Sequence, residues 1–394
     1  MKEVYIVDYV VIDTLGSDIE SNYINMESLA KGPQRITRYD VTEYPNILCT
    51  KGYEIQMYQN EAWMYAKLQN DLVGQLEKKN EKFPSESAVI VGSFPTSGHE
   101  IRQPFRDSME NGSNRFSPTK LFINNNDLVS ASIAKRFKLE GFSTSLNAAC
   151  STSMFNLHYA FTCIQSGVLS SAIVGALETP LSALSQYYWQ STGAISNKDG
   201  GICKPFDKSR DGFVQAEGGT LWYICDKETV DKYNLKPKAK LLSISAAAKC
   251  HDSATMTAHD KTGKSQIAVI DQALAAANKK PSDMAFFNAH ATSTLIGDDI
   301  ELDIFQQVFK GVDIPCVSFK GYLGHTMSAC GMIESAYGIE AIKNGYLHPN
   351  YNLTDPISDD PRLITKTTPI TGNTFIKASF GFGGRSVVAI IESI

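Results

Sequence analysis

The chain has 394 residues, 43% of them hydrophobic and 20% charged, ordinary usage for two or three domain-sized globular units. Lys and Arg number 37 against 42 Asp and Glu, a formal net charge of −5, so nothing marks it as a nucleic-acid binder. It has no apolar run of the length a membrane-spanning helix needs. Glu3 and Asp8 interrupt the apolar N-terminus, so no signal peptide is expected and the protein is placed in the cytoplasm.

The first predicted strand is Val4 to Ile12, a β-branched run. Met57 to Leu76 follows helical spacing, with Met57, Met64, Leu68, Leu72 and Leu76 near one face. Ser87 to Gly92 reads as a short buried strand. His99 to Asn126 is polar but punctuated by Phe105, Phe116 and Phe122, and reads as ordered surface loops and short helices. A strand, Ser143 to Ala149, runs into Cys150; an apolar helix then ends at Gly167, and a strand, Ser171 to Gly175, follows. The charged stretch Asp226 to Lys240 marks an internal boundary, giving halves 1–240 and 241–394. The second half reads as a strand (Ala239 to Ala246), a loop (Lys249 to Lys264) and a helix (about Gln266 to Ala277). A strand (Ala285 to Asn288) then leads into His290, and a turn-to-helix unit runs from Lys320 to Gly345. Each half repeats strand, small-residue elbow and long helix, which predicts an α/β fold built from two copies of one unit.

Eight cysteines, with no CxxC pair and no zinc-ligand spacing to histidine, are expected to be reduced thiols, with no metal site. Cys150, in SLNAACSTS, stands apart. It sits at a strand-to-helix corner among small neighbours, where a helix N-terminus favours thiolate. His290 follows a strand and precedes Thr292, Ser293 and Thr294; His325 lies in a Gly-rich turn between Lys320 and Glu334. Taken singly, each also reads as a packing residue or a buried ion pair. Together they suggest a cysteine nucleophile with two imidazoles able to donate to a developing enolate. The turn SFGFGG, containing Phe380 and Phe382, exposes backbone N–H groups suited to an oxyanion.

Five motifs in order, SLNAACSTS, KPFDKSRDGFVQAEGG, NAHATSTLIGD, KGYLGHTMSACGMIE and SFGFGG, resemble β-ketoacyl-acyl carrier protein synthases of the elongating type, in the thiolase-like superfamily. The resemblance implies a thiolase-like α/β fold of five layers, αβαβα, with two pseudo-repeated halves. It implies decarboxylative Claisen condensation of malonyl-acyl carrier protein with an acyl chain held on Cys150, giving a 3-oxoacyl-acyl carrier protein. His290 and His325 would stabilise the enolate, supported by Lys320 and Glu334. Backbone N–H groups of Cys150 and Phe382 would form the oxyanion hole, with Phe382 and Phe380 at the acyl gate. Thr292 and Thr294 would bind the pantetheine arm, and Asp252 to His259 would form a mobile loop by the gate. Asp207, Arg210, Asp211 and Glu217 would form a structural network. Arg115 and Lys120 are candidates for carrier-protein docking. No cofactor is implied, since the substrate arrives on phosphopantetheine. The family is dimeric, with SAIVGALET (from Ser171) matched to the region that pairs across the axis; a homodimer and a heterodimer with a ketosynthase-like or chain-length-factor subunit both stay open.

The chain departs from the family pattern at Ala291, Met327, Cys330, Arg385, Ser386 and Asn124 to Asn126, and lacks a basic segment between about Thr50 and Met57. These departures point to a specialised, aryl polyene-like pathway. The alternatives are a housekeeping fatty-acid synthase and a catalytically weak chain-length-factor-like subunit, the latter disfavoured by Cys150, His290 and His325. A thiolase is disfavoured because no cysteine follows Cys330, and a starter-condensing enzyme because the second histidine is present.

Overall fold

The computed structural model describes residues 1–58, 64–80, 83–93, 126–198, 201–248 and 260–394. Arg115, Lys120, Asn124, Asn125, the 94–125 stretch and Asp252 to His259 lie outside the described residues.

Strand β1 (Val4–Ile12) is followed by helix α1 (Met64–Lys79), β2 (Ala88–Gly92), α2 (Asn126–Phe137) and β3 (Ser143–Thr144). Then come α3 (Thr152–Gln165), β4 (Ser171–Glu178), α4 (Ala183–Gln190) and β5 (Gly218–Asp226). The second half contains β6 (Ala239–Ala248), α5 (Lys264–Ala276), β7 (Phe287–Asn288), α6 (Leu295–Val308), β8 (Cys316–Val317), α7 (Cys330–Asn344), β9 (Thr374–Gly381) and β10 (Arg385–Ser393).

Ten strands join in the order β8-β7-β9-β10-β6-β1-β5-β4-β2-β3. The order is symmetric about the β6–β1 junction. In the first half β3, β2 and β4 are parallel, and β5 and β1 add antiparallel. In the second, β8, β7 and β9 are parallel, and β10 and β6 add antiparallel. β1 and β6 pair antiparallel over only Val4 to Ile6, so a short seam joins two five-stranded units.

The period-2 alternation of side chains divides each unit between two cores. In the first unit Ile173, Leu177, Leu221 and Tyr223 face α1 and α2. In the second, Ile376, Val388 and Ile390 face α5 and α6. The alternate residues Val174, Trp222, Phe375, Val387 and Ala389 meet on α3 and α7 in a shared central core. Five layers result, with α3 and α7 in the middle. These helices are apolar on nearly all sides because they are covered from both faces. Their close approach needs Gly331, where a Cβ would lie 2.3 Å from Met154 Cγ.

Several boundaries differ from the sequence reading. The first long helix starts at Met64, and Met57 is exposed outside it; Met64, Leu68, Leu72 and Leu76 form the buried face. The strand before Cys150 ends at Thr144. The strand before His290 is confined to Phe287–Asn288. The 320–345 unit is a short helix (Lys320–Leu323), a 3-10 turn and α7. β4 has partners on both edges, β2 and β5, so it cannot pair across a dimer axis as expected. Among the described residues, β3 is the edge strand of that unit.

Candidate active site

Cys150 sits in an elbow made by local hydrogen bonds. The Asn147 Oδ1 accepts the Ala149 N–H at 3.1 Å. The Thr152 hydroxyl accepts the Ala148 N–H at 2.8 Å and donates to the Ala149 carbonyl at 2.7 Å. Ala149 is thereby held at φ 51°, a left-handed conformation for which a small side chain carries the least strain. These bonds explain why the strand stops at Thr144: the chain turns early and delivers Cys150 just ahead of α3.

His290 follows β7. The Glu301 carboxylate, in the second turn of α6, accepts the N–H groups of His290 (2.6 Å) and Ala291 (2.5 Å). His325 is pinned by its backbone: its N–H donates to the Val214 carbonyl and its carbonyl accepts the Ala216 N–H, both at 2.9 Å. The two imidazoles stand edge to face with centroids 5.7 Å apart. Phe213 presents its edge to His325 at 5.0 Å, and Phe380 lies 6.2 Å from His290.

Beneath them lies a buried ion network. Lys320 donates from Nζ to Glu334 Oε1 at 2.6 Å and to the His290 carbonyl at 2.5 Å, and lies 3.5 Å from His290 Nδ1. Burial opposes the Lys320 charge, but Glu334 outweighs it and holds the lysine above its usual range. Burial, then the Lys320 and Lys377 cations, push His325 well below the usual imidazole range. His325 is therefore held neutral, the state in which an imidazole donates a hydrogen bond without carrying charge.

Cys150, His290, His325, Thr292, Thr294, Phe380 and Phe382 line one cavity of about 250 Å³. The Thr292 and Thr294 hydroxyls are 3.1 Å apart. Behind Phe382 an apolar cluster gathers Cys49, Trp189, Ile195, Phe213 and Met327 around Cys150, with Trp189 and Phe382 rings 5.7 Å apart. Two of the departures thus adjoin the thiol: Met327 in this cluster, and Cys330, whose Sγ donates to the Cys150 carbonyl at 3.4 Å.

Two expectations change. Burial pushes the Cys150 thiol up, the neighbouring Cys330 adds to this and Lys320 only partly opposes it, so these surroundings favour the thiol, against the thiolate expected from the helix N-terminus. The network expected of Asp207, Arg210, Asp211 and Glu217 is joined only in part: the Arg210 guanidinium donates to the Asp207 carbonyl at 3.0 Å, while Asp211 and Glu217 bind elsewhere. Asp207 accepts from Ser209, Thr354 and Asp355, Arg210 binds Asp299 and the Thr294 and Leu295 carbonyls, Asp211 holds Ser196 beside the cavity, and Glu217 takes Arg38 and the Ile55 N–H.

Sequence reasoning missed Glu301, Trp189 and Lys377. Glu301 was visible as the residue three after Asp298 on the same helix face, and Lys377 as one charge in the apolar run TFIKASFG; Trp189 carried no signal.

Residues 60–228 match the family model for the beta-ketoacyl synthase N-terminal domain, and 242–354 that for the C-terminal domain. The chain is 27% identical to the chloroplastic 3-oxoacyl-[acyl-carrier-protein] synthase I of Arabidopsis thaliana, over 98% of this chain and 86% of that one. It is 30% identical to 3-oxoacyl-[acyl-carrier-protein] synthase 2 of Mycobacterium leprae, over 76% and 72%. Among solved structures, a ketosynthase of a type II polyketide synthase in complex with its acyl-carrier protein superposes with a TM-score of 0.85 at 21% identity, covering 100% of this chain and 99% of that one. The ishigamide ketosynthase/chain length factor superposes with a TM-score of 0.84 at 20% identity, covering 100% and 99%.

Proposed function

The chain belongs to the β-ketoacyl synthase family, and on that footing we propose that it condenses an acyl chain held on Cys150 with malonyl-acyl carrier protein. It is an acyltransferase whose reaction is a carrier-protein-dependent Claisen condensation. The observation that carries the residue assignment is the convergence of Cys150, His290 and His325 on one cavity with the Thr292–Thr294 hydroxyl pair.

The Cys150 thiol attacks the acyl thioester of a loaded carrier protein. Its proton passes to the departing pantetheine thiolate, and the acyl chain remains on sulfur. Malonyl-carrier protein then enters, with its pantetheine arm against Thr292 and Thr294. The bond to its carboxylate breaks, carbon dioxide leaves, and the electron pair forms an enolate whose oxygen accepts hydrogen bonds from His290 and His325. The enolate carbon attacks the Cys150 thioester. Backbone N–H groups of Cys150 and Phe382 take the negative oxygen, and collapse expels the cysteine thiolate, which regains a proton. No step uses a cofactor.

The finer reading is a specialised synthase for unsaturated, aryl polyene-like chains, with a ketosynthase-like or chain-length-factor partner. It is supported by Met327 and Cys330 against the thiol and by the aromatic wall of Trp189, Phe213 and Phe382. Elongation of saturated acyl-carrier proteins at a rate equal to or above that of polyenoyl ones overturns it.

The main test is incubation with malonyl- and acyl-carrier proteins, following carbon dioxide and product mass. Cys150→Ala should lose condensation and keep some decarboxylation. Full condensation by that variant refutes the assignment.

A further inference from the structure

The buried network below the imidazoles holds a second lysine. Lys377 is on β9, three residues before Phe380, and is 0% exposed. Its ammonium donates to the Asn288 Oδ1 and the Ala289 carbonyl, each at 3.0 Å, and to Glu334 Oε2. All three donors of the ammonium are thus used. Glu334 is shared: one oxygen serves Lys377 and the other Lys320, which in turn holds the His290 carbonyl. Asn288 closes the ring, donating from Nδ2 to the Glu334 carbonyl at 2.9 Å.

One carboxylate faces two buried ammonium groups. The Lys320–Glu334 pair is already neutral, and the second cation is balanced through space by the buried Glu301 carboxylate, whose oxygens are taken by the His290 and Ala291 N–H groups. Burying that second cation costs several kcal/mol, which only good geometry offsets. Lys377 does supply geometry. With it in place Glu334 cannot rotate its second oxygen toward Lys320, so Lys320 is left with the single direction that points at His290.

We propose that Lys377 is a positioning residue for the malonyl half of the reaction, fixing Glu334 so that Lys320 orients His290 toward the enolate. The proposal rests on the condensation reading above. It requires Lys377 to matter for decarboxylation and little for acyl transfer onto Cys150, because Lys377 acts on the His290 side of the site, through Glu334 and Lys320 and through the Ala289 carbonyl just before His290, while its ammonium is bonded to Asn288, Ala289 and Glu334 and not to the cysteine elbow.

The test separates the two half-reactions in the full chain. Acyl transfer from an acyl-carrier protein onto Cys150 is followed by intact mass, and carbon dioxide release from malonyl-carrier protein by isotope. Both are normalised to the folded fraction, measured by circular dichroism and thermal unfolding of each variant. For Lys377→Met and the more conservative Lys377→Gln, we expect decarboxylation to fall about 10- to 100-fold, the size of one lost charge-assisted hydrogen bond. Acyl transfer should stay within about twofold. In a Glu334→Gln background the Lys377 substitutions should cost less than in the wild type, since the route through Glu334 is already cut and only the Ala289 carbonyl contact is left to lose. Equal loss in both half-reactions, unchanged decarboxylation, or full additivity with Glu334→Gln overturns the proposal. A wild-type protein that performs neither half-reaction takes down the condensation reading and this proposal together, and is distinct from a wild type that works with an indifferent Lys377.

Discussion

Gly381→Ala tests whether the SFGFGG turn is seated against the cysteine elbow. Gly381 ends β9, and a Cβ there would lie 2.7 Å from Ser151 Oγ and 2.8 Å from the Ala148 carbonyl. Ser151 Oγ can rotate away; the Ala148 carbonyl cannot, because it belongs to the bonded elbow and accepts the Ser151 N–H at 3.1 Å. Restoring ordinary contact requires the turn to move by about 0.6 Å, an overpacking cost of about 1–3 kcal/mol. The same shift carries the Phe382 N–H away from Cys150. A misplacement approaching 1 Å costs about 100-fold in rate, so condensation should fall about 10- to 100-fold. Cys150 alkylation should persist, since the thiol itself is untouched. The assays are product formation by mass and thermal unfolding, with Gly74→Ala as control. That residue lies in α1 with nothing within 4 Å of an added Cβ, so it should gain about 0.5–1 kcal/mol of stability. A Gly381→Ala protein with wild-type turnover and unfolding temperature refutes the argument.

Glu301→Gln keeps one acceptor oxygen where two backbone N–H groups now converge, so it should cost about 1–3 kcal/mol and loosen the His290 turn. Decarboxylation should suffer more than acyl transfer, and calorimetry together with the two half-reaction assays checks both. For His325 the folded imidazole resists protonation through burial and the Lys320 and Lys377 cations, so it should stay neutral down to a pH well below 6.5. An NMR titration of the ring with a midpoint at or above 6.5 contradicts this. The linked sign is definite: the unfolded chain takes up a proton at the ordinary histidine value and the folded one does not, so this group removes stability as pH falls below about 6.5.

The duplicated fold was legible because its signals are local. β-branched runs such as Val4–Ile12 and the all-round apolar helix after Cys150 each follow from side-chain periodicity, and their repetition implies two like units. The cysteine, the two histidines, Lys320 and Glu334 were legible from motif order. Where the sequence reading stopped short, hydrogen bonds between distant segments had decided the matter. The strand before Cys150 ends early because Asn147 and Thr152 capture its backbone.

The amino-acid sequence by itself singled out the candidate groups, since nucleophile, imidazoles and glycine turn are residue types at fixed spacings. Only the tertiary structure decided their state. Burial pushes the Cys150 thiol up, and that burial comes from distant segments packing over it. Lys377, one lysine in an apolar strand, enters the site because β9 pairs with β7 and brings it beside Asn288, while α7 carries Glu334 to it. Charge and solvation depend on neighbours hundreds of residues away, and the order of residues along the chain does not state who those neighbours are.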